Sequence, residues 1–230
     1  VAERLADSCT VVTYDRRGTG RSGSRDWPSD SGRHADDALA LISNLGLDNI
    51  TVFGASAGGI VALSLALRHP TKLKTVLCYE PGVFTATEDA EDIRVGIEST
   101  VQEYLRSHPD DWSGAMGELG RAAANSLPET KSLFAAPSDK EWFALRTDAN
   151  AESLIRGDLP LARERFDPEA IANSPVNLRF AYGTASLPVF EEIASQLAAI
   201  RGEKADAVHG MGHLAFYQPE AVAAYIRSWI

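Results

Sequence analysis

Apolar and polar positions along the chain switch between two periods. A β-branched run from Cys9 to Tyr14 predicts a short strand, closed by the glycine-rich turn Asp15-Arg16-Arg17-Gly18-Thr19-Gly20. His34 to Leu45 predicts a helix, with Ala38, Leu41, Ile42 and Leu45 on one face and Gly46 as its stop. Strand Ile50 to Phe53 follows. Ala57 to Arg68 is apolar almost all round, the mark of a helix buried on both sides, and His69-Pro70 ends it. Strand Leu73 to Tyr79 completes the step. The rhythm returns further on as strand Leu178 to Tyr182, helix Pro188 to Ile200, strand Ala205 to Val208 and a last helix from Glu220 to Trp229.

Strands joined by helical crossovers form a mainly parallel sheet with helices on both faces, so the fold class is α/β. Between Gly82 and about Ser174 the strand period disappears. Helical stretches replace it, carrying Ile93, Ile97, Val101, Leu105, Trp112, Met116, Leu119, Trp142, Phe143, Leu154 and Ile155. The expected organisation is an α/β core at 1–82 and 175–230, with a helical cap inserted at 83–174. Such a cap would cover the carboxyl ends of the strands, where open α/β sheets bind ligands.

Composition narrows the function classes. The 230 residues are 44% hydrophobic, enough for one domain with a large core. The net charge of −10 is spread along the chain without a basic block, which argues against a nucleic-acid or anionic-membrane partner. Cys9 and Cys78 lie in apolar runs and predict small buried side chains, compatible with a reducing cytoplasm. No apolar run approaches the roughly 20 residues that span a bilayer. Val1 to Ala6 is an amphipathic segment with no strand before it, the expectation being a native protein with further residues at that end.

The chemistry centres on Phe53-Gly54-Ala55-Ser56-Ala57-Gly58-Gly59, where a predicted strand meets a predicted helix. In that context G-x-S-x-G is a nucleophile elbow: small neighbours let the chain reverse sharply while the serine takes a strained conformation and exposes its hydroxyl. The Ala57 N–H then points to where an oxyanion would form. A plain glycine-rich turn is the competing interpretation.

A serine hydroxyl needs a base with a pKa near 7. Of the five histidines, His34, His69 and His108 sit at helix edges or in the cap and are expected at the surface. His213 follows the last strand in His209-Gly210-Met211-Gly212-His213, a loop able to swing a side chain over the sheet edge. His209 ends that strand and is expected to pack. The imidazole in turn needs a carboxylate. Glu80 directly follows strand Leu73 to Tyr79, Pro81 stiffens its exit, and a buried glutamate needs a partner. Asp158, in the cap, and Asp206, inside a strand, are weaker candidates.

The Tyr14 to Ser22 turn, the Gly54 to Gly58 elbow and the Gly210-Met211-Gly212-His213 loop together resemble the α/β-hydrolase superfamily over nearly the whole chain outside the cap. Within it the chain looks most like zearalenone-type lactonases. They resemble it in a Glu-Pro-like step at Glu80, in a segment near Gly183 that lacks the usual Asp, and in a Gly-Met-His-like loop. Most members carry that Asp three residues after a strand-ending glycine, where this chain has Ser186. The resemblance implies a Ser56–His213–Glu80 triad and a second oxyanion donor from a loop ahead of the segment matching Val1 to Ser8, which has no counterpart here.

The expected reaction is acyl transfer to water on an ester or lactone of a small to medium apolar molecule, without metal or organic cofactor. Trp142 and Phe143 are the expected substrate contacts, beside Trp112 and Phe134 in the cap. Thioester or amide cleavage, a cofactor-free perhydrolase, and a ligand-binding protein that has lost turnover are the alternatives.

Overall fold

A computed structural model describes residues 1–22, 27–125 and 150–230. Four parallel strands, β1 (Ile50–Ala55), β2 (Leu73–Tyr79), β3 (Asn177–Gly183) and β4 (Asp206–Val208), lie side by side in chain order. Around them, in chain order, run α1 (Ala2–Leu5), α2 (Ser31–Asn44), α3 (Ala57–Arg68), α4 (Glu88–Ser107), α5 (Trp112–Asn125), α6 (Pro168–Ala172), α7 (Pro188–Ile200) and α8 (Pro219–Arg227). A π-helical turn at Leu154–Asp158 runs into one α-helical turn at Leu159–Leu161.

Strand period explains how the sheet is buried. On β2 and β3, Val76, Cys78, Leu178 and Phe180 face one core with Ile60 and Leu63 of α3 and Phe190 and Ile193 of α7. Their neighbours Leu77, Tyr79 and Ala181 face a second core with Leu5 of α1 and Val222, Ala223 and Ile226 of α8. Successive side chains point to opposite faces, so near-continuous apolar strands require helices on both.

Helix ends follow local chemistry. The Asp30 carboxylate caps α2 by accepting from the Arg33 N–H at 3.1 Å, and Gly46 ends it at φ 64°. The cap places the start of α2 ahead of His34, at Ser31. Burial of α3 on every side from Gly59 to Ala66 matches its all-round apolar sequence.

One predicted strand is absent. Among the described residues Cys9 to Tyr14 has no ladder partner, and Val12 and Tyr14 are each 43% exposed. A β-branched run becomes a strand only where another strand offers its N–H and C=O groups, and none of the four pairs with it. Cys9 and Val11 instead pack beside the second core.

The described residues from 80 to 176 contain helices and no strand. There α4, α5 and the π-helical turn enclose a small core of Val101, Ala115 and Ile155, with Trp112 packed against it. This segment is tied to the turn after Tyr14: Arg16 pairs with Asp158 at 2.5 Å and Ser153 Oγ donates to the Gly18 carbonyl at 2.6 Å. Among the described residues no helix is long and apolar enough to cross a membrane.

Candidate active site

The carboxyl ends of β1, β2 and β3 lie in one row, because Ala55 pairs with Tyr79 and Tyr79 with Ala181. Residues just beyond these positions are therefore neighbours across the sheet. Ser56 follows β1, Glu80 follows β2 and the Gly183–Phe190 corner follows β3.

Ser56 stands at φ 53° and ψ −122°, outside the helical and strand regions. Its N–H donates to the Tyr79 carbonyl at 3.1 Å, and its own carbonyl accepts from Gly82 at 3.2 Å. Such a conformation costs on the order of 1–3 kcal/mol and persists only where surrounding bonds over-determine it. The turn is tight enough that a Cβ at Gly54 would lie 2.2 Å from the Gly58 carbonyl oxygen. A Cβ at Gly58 itself would meet nothing, whereas one at Gly59 would press on Pro81 at 2.9 Å. Sequence symmetry about Ser56 thus misses Gly59, whose contact is with the exit of the next strand. Ala57 opens α3, so its N–H has no intrahelical acceptor.

Glu80 is fully buried and also has a positive φ, 42°. Its N–H bonds the Ala181 carbonyl at 2.7 Å, which turns the side chain toward the β3 corner. There Oε1 accepts from the Gly183 N–H at 2.8 Å, while Oε2 accepts from Ser186 Oγ at 2.8 Å and lies 2.7 Å from His213 Nδ1. A charged carboxylate at full burial needs such partners, and these supply them on both oxygens.

His213 is held from several sides. The Tyr79 hydroxyl donates to the Gly212 carbonyl at 2.8 Å, the Gly212 N–H donates to Gln218 Oε1 at 2.9 Å, and Gln218 Nε2 donates back to Gly210 at 2.7 Å. Burial, and next the nearby charge of Glu80, push the Tyr79 phenol pKa far above its ordinary value, so the hydroxyl stays a donor. The imidazole stacks on Phe190 with centroids 4.1 Å apart and planes within 6°. With Nδ1 on the carboxylate, Nε2 is the nitrogen left for a substrate-side proton.

The other candidates are engaged elsewhere. Asp158 pairs with Arg16, and Asp206 with Arg179 and the Tyr225 hydroxyl. His209 is exposed instead of packed. His34, expected at the surface, is 3% exposed and its Nε2 has no partner among the described residues. A histidine near the start of an amphipathic helix carries no local sign of such burial. His69 pairs with Asp36, and His108 stacks on Tyr104. Trp142, Phe143 and Phe134 lie outside the described residues, and Trp112 packs in the core beside α4 and α5. Sequence reasoning missed Tyr79, Ser186 and Phe190 as neighbours of the pair. Their types, an apolar strand end, a loop serine and a helix-core phenylalanine, carry no chemical signature, and only the empty acid position at Ser186 hinted at a role.

The chain is 39% identical to the uncharacterized hydrolase YraK of Bacillus subtilis over 196 residues, which cover 83% of this chain and 67% of YraK. It is 44% identical to RutD of Rhizobium rhizogenes, a protein named as a candidate carbamate hydrolase, over 113 residues, 46% of this chain and 43% of RutD. The chain thus spans about two thirds of the first relative and less than half of the second. In structure it is similar to a thermophilic esterase from Thermogutta terrifontis, with a TM-score of 0.76 at 22% identity, covering 99% of this chain and 82% of the esterase. The model of the alpha/beta hydrolase family matches residues 1–225, and the chain belongs to that family of enzymes.

Proposed function

We propose that this hydrolase cleaves an ester or lactone of a small to medium apolar molecule through an acyl-enzyme. In this scheme Ser56 is the nucleophile, His213 the base and Glu80 the acid. The observation that carries it is the 2.7 Å contact between His213 Nδ1 and a fully buried Glu80, beside a serine in the strained conformation of a nucleophile elbow.

Ser56 attacks the carbonyl carbon while His213 Nε2 takes its proton, and the Ala57 N–H steadies the oxyanion that forms. His213 then protonates the leaving alcohol. Water, activated by the same nitrogen, attacks the acyl-enzyme and frees the acid. Glu80 holds the productive tautomer and stabilises the imidazolium without itself taking the proton. In this scheme the described helical residues between 83 and 174 act as a cap over the substrate, tied to the turn after Tyr14 by the Arg16–Asp158 pair.

Ester chemistry is supported by the fold shared with the Thermogutta esterase, and the Glu-Pro step at 80–81 supports a lactone-type arrangement of the acid. A carbamate belongs on the same substrate panel, because RutD, similar over less than half of this chain, is named for that reaction. The test is fluorophosphonate labelling followed by a panel of p-nitrophenyl esters, lactones and carbamates. Labelling at Ser56 and turnover of esters or lactones support the proposal. An unlabelled Ser56 in folded protein refutes the nucleophile, and turnover confined to carbamates refutes the substrate class.

A further inference from the structure

We infer that Ser186 is a positioning residue for the Glu80–His213 pair: its hydroxyl donates to the carboxylate oxygen that faces the imidazole, fixing the carboxylate's rotamer and sharing the charge of that oxygen. The inference rests on the proposed Ser56–His213–Glu80 triad.

The donor direction is settled by chemistry. A carboxylate only accepts, so at 2.8 Å the Ser186 proton points to Glu80 Oε2. Both ends of this contact are buried, Ser186 at 5% exposure and Glu80 at zero, so water does not compete for the oxygen. Oε2 is shared with His213 Nδ1, whereas Oε1 has the Gly183 N–H. Without Ser186 the carboxylate keeps the Gly183 N–H on Oε1 and the imidazole on Oε2, with the Tyr79 hydroxyl close by.

The corner that carries Ser186 is built for such a role. The Ser186 N–H closes a turn onto the Gly183 carbonyl at 3.0 Å, the Ala185 N–H bonds the Met211 carbonyl at 2.9 Å, and the Thr184 N–H bonds Val208 at 3.1 Å. One short segment therefore grips the strand end, the acid and the loop that bears His213. A few residues on, the same corner supplies Phe190 to the imidazole face.

Two effects follow. The hydroxyl aligns Oε2 with Nδ1, which favours turnover. It also withdraws charge from that oxygen, so the imidazolium is stabilised less than by a bare carboxylate. Removing the hydroxyl should slow the reaction and raise the pH at which the base is lost to protonation. A side chain with only a structural role would lower the rate or the stability without moving that limb.

The experiment is the pH dependence of kcat/KM for p-nitrophenyl acetate, using the full chain and its Ser186→Ala, Ser186→Cys, Ser186→Thr and Glu80→Gln variants, with folding checked by circular dichroism. Ser186→Ala is expected to lose about tenfold in kcat and to shift the acid limb upward by about half a pH unit. Ser186→Cys, of similar size but a weak donor, should shift the same way and serves if the alanine variant does not fold. Ser186→Thr should return the limb to its original position. A Glu80→Gln variant that is crippled while the Ala and Cys variants keep the original limb overturns the role of Ser186 and leaves the triad standing. A Glu80→Gln variant as active as the parent overturns the triad and this inference together.

Discussion

Phe190 lies face to face with His213, ring planes within 6° and centroids 4.1 Å apart. A neutral imidazole gains contact area from this stack, and an imidazolium gains a cation–π attraction as well. In the proposed scheme the ring takes up its charge in the acylation step, so Phe190→Leu should lower kcat about tenfold with little change in KM, given the usual strength of such contacts. Steady-state kinetics with unchanged thermal melting would check it.

Replacing Glu80 by Gln keeps an acceptor for the Gly183 N–H but loses the charge beside Nδ1. We expect kcat to fall by about three to four orders of magnitude, the scale seen when a triad carboxylate becomes an amide. Single-turnover acylation is the direct readout.

The Ser186 hydroxyl is within bonding distance of the oxygen that faces His213. An aspartate at this position would put a carboxylate next to the place that Glu80 Oε2 holds beside that nitrogen. In a Glu80→Gln background, Ser186→Asp should regain at least tenfold in kcat/KM, by the same orienting argument. Rates for the single and double variants, compared side by side, decide it.

Gly183 has no room for a side chain: a Cβ would lie 2.1 Å from the Met211 carbonyl oxygen and 2.3 Å from the Tyr79 hydroxyl. Neither neighbour is the free end of a flexible chain, since one is backbone and the other is bonded to Gly212. Gly183→Ala should destabilise the protein by about 1–3 kcal/mol or more. Urea unfolding measures it.

His34 is buried beside Arg16, Asp158, Asp37 and Asp30, and burial first, then the Arg16 charge, hold its pKa below 6.5. The unfolded chain therefore takes up a proton at a higher pH than the native one. Stability is fully present above about 6.5 and falls as pH drops from there toward the lower native value. His34→Gln removes this term, so its melting temperature should fall less steeply below pH 6.5. Thermal scans across pH test the difference.

Much of this was legible in the chain. Leu73–Tyr79, Ala57–Arg68 and Pro188–Ile200 have the predicted bounds, because their ends are marked by glycine, proline or a change of period. The Ser56 turn and the His213 loop were visible as well, since glycine-rich punctuation is local. Cys9 to Tyr14 illustrates the limit: its β-branched residues specify an extended backbone, and a ladder depends on a partner distant in sequence. The company of Glu80 was hidden for the same reason. Gly183, Ser186 and His213 come to it from residues more than a hundred positions away, and only strand order and register decide that they meet.

The row formed by Ala55, Tyr79 and Ala181 ties the distance between Ser56 and Glu80 to the spacing of the strands themselves. The amides that fix it, those of Ser56, Glu80 and Gly183, are bonded at the carboxyl ends of β1, β2 and β3, next to the buried β2. Amides so placed exchange with solvent mainly through openings as large as the whole fold. Heating should then leave catalytic spacing intact until the sheet melts, and loss of activity should track the unfolding transition instead of preceding it.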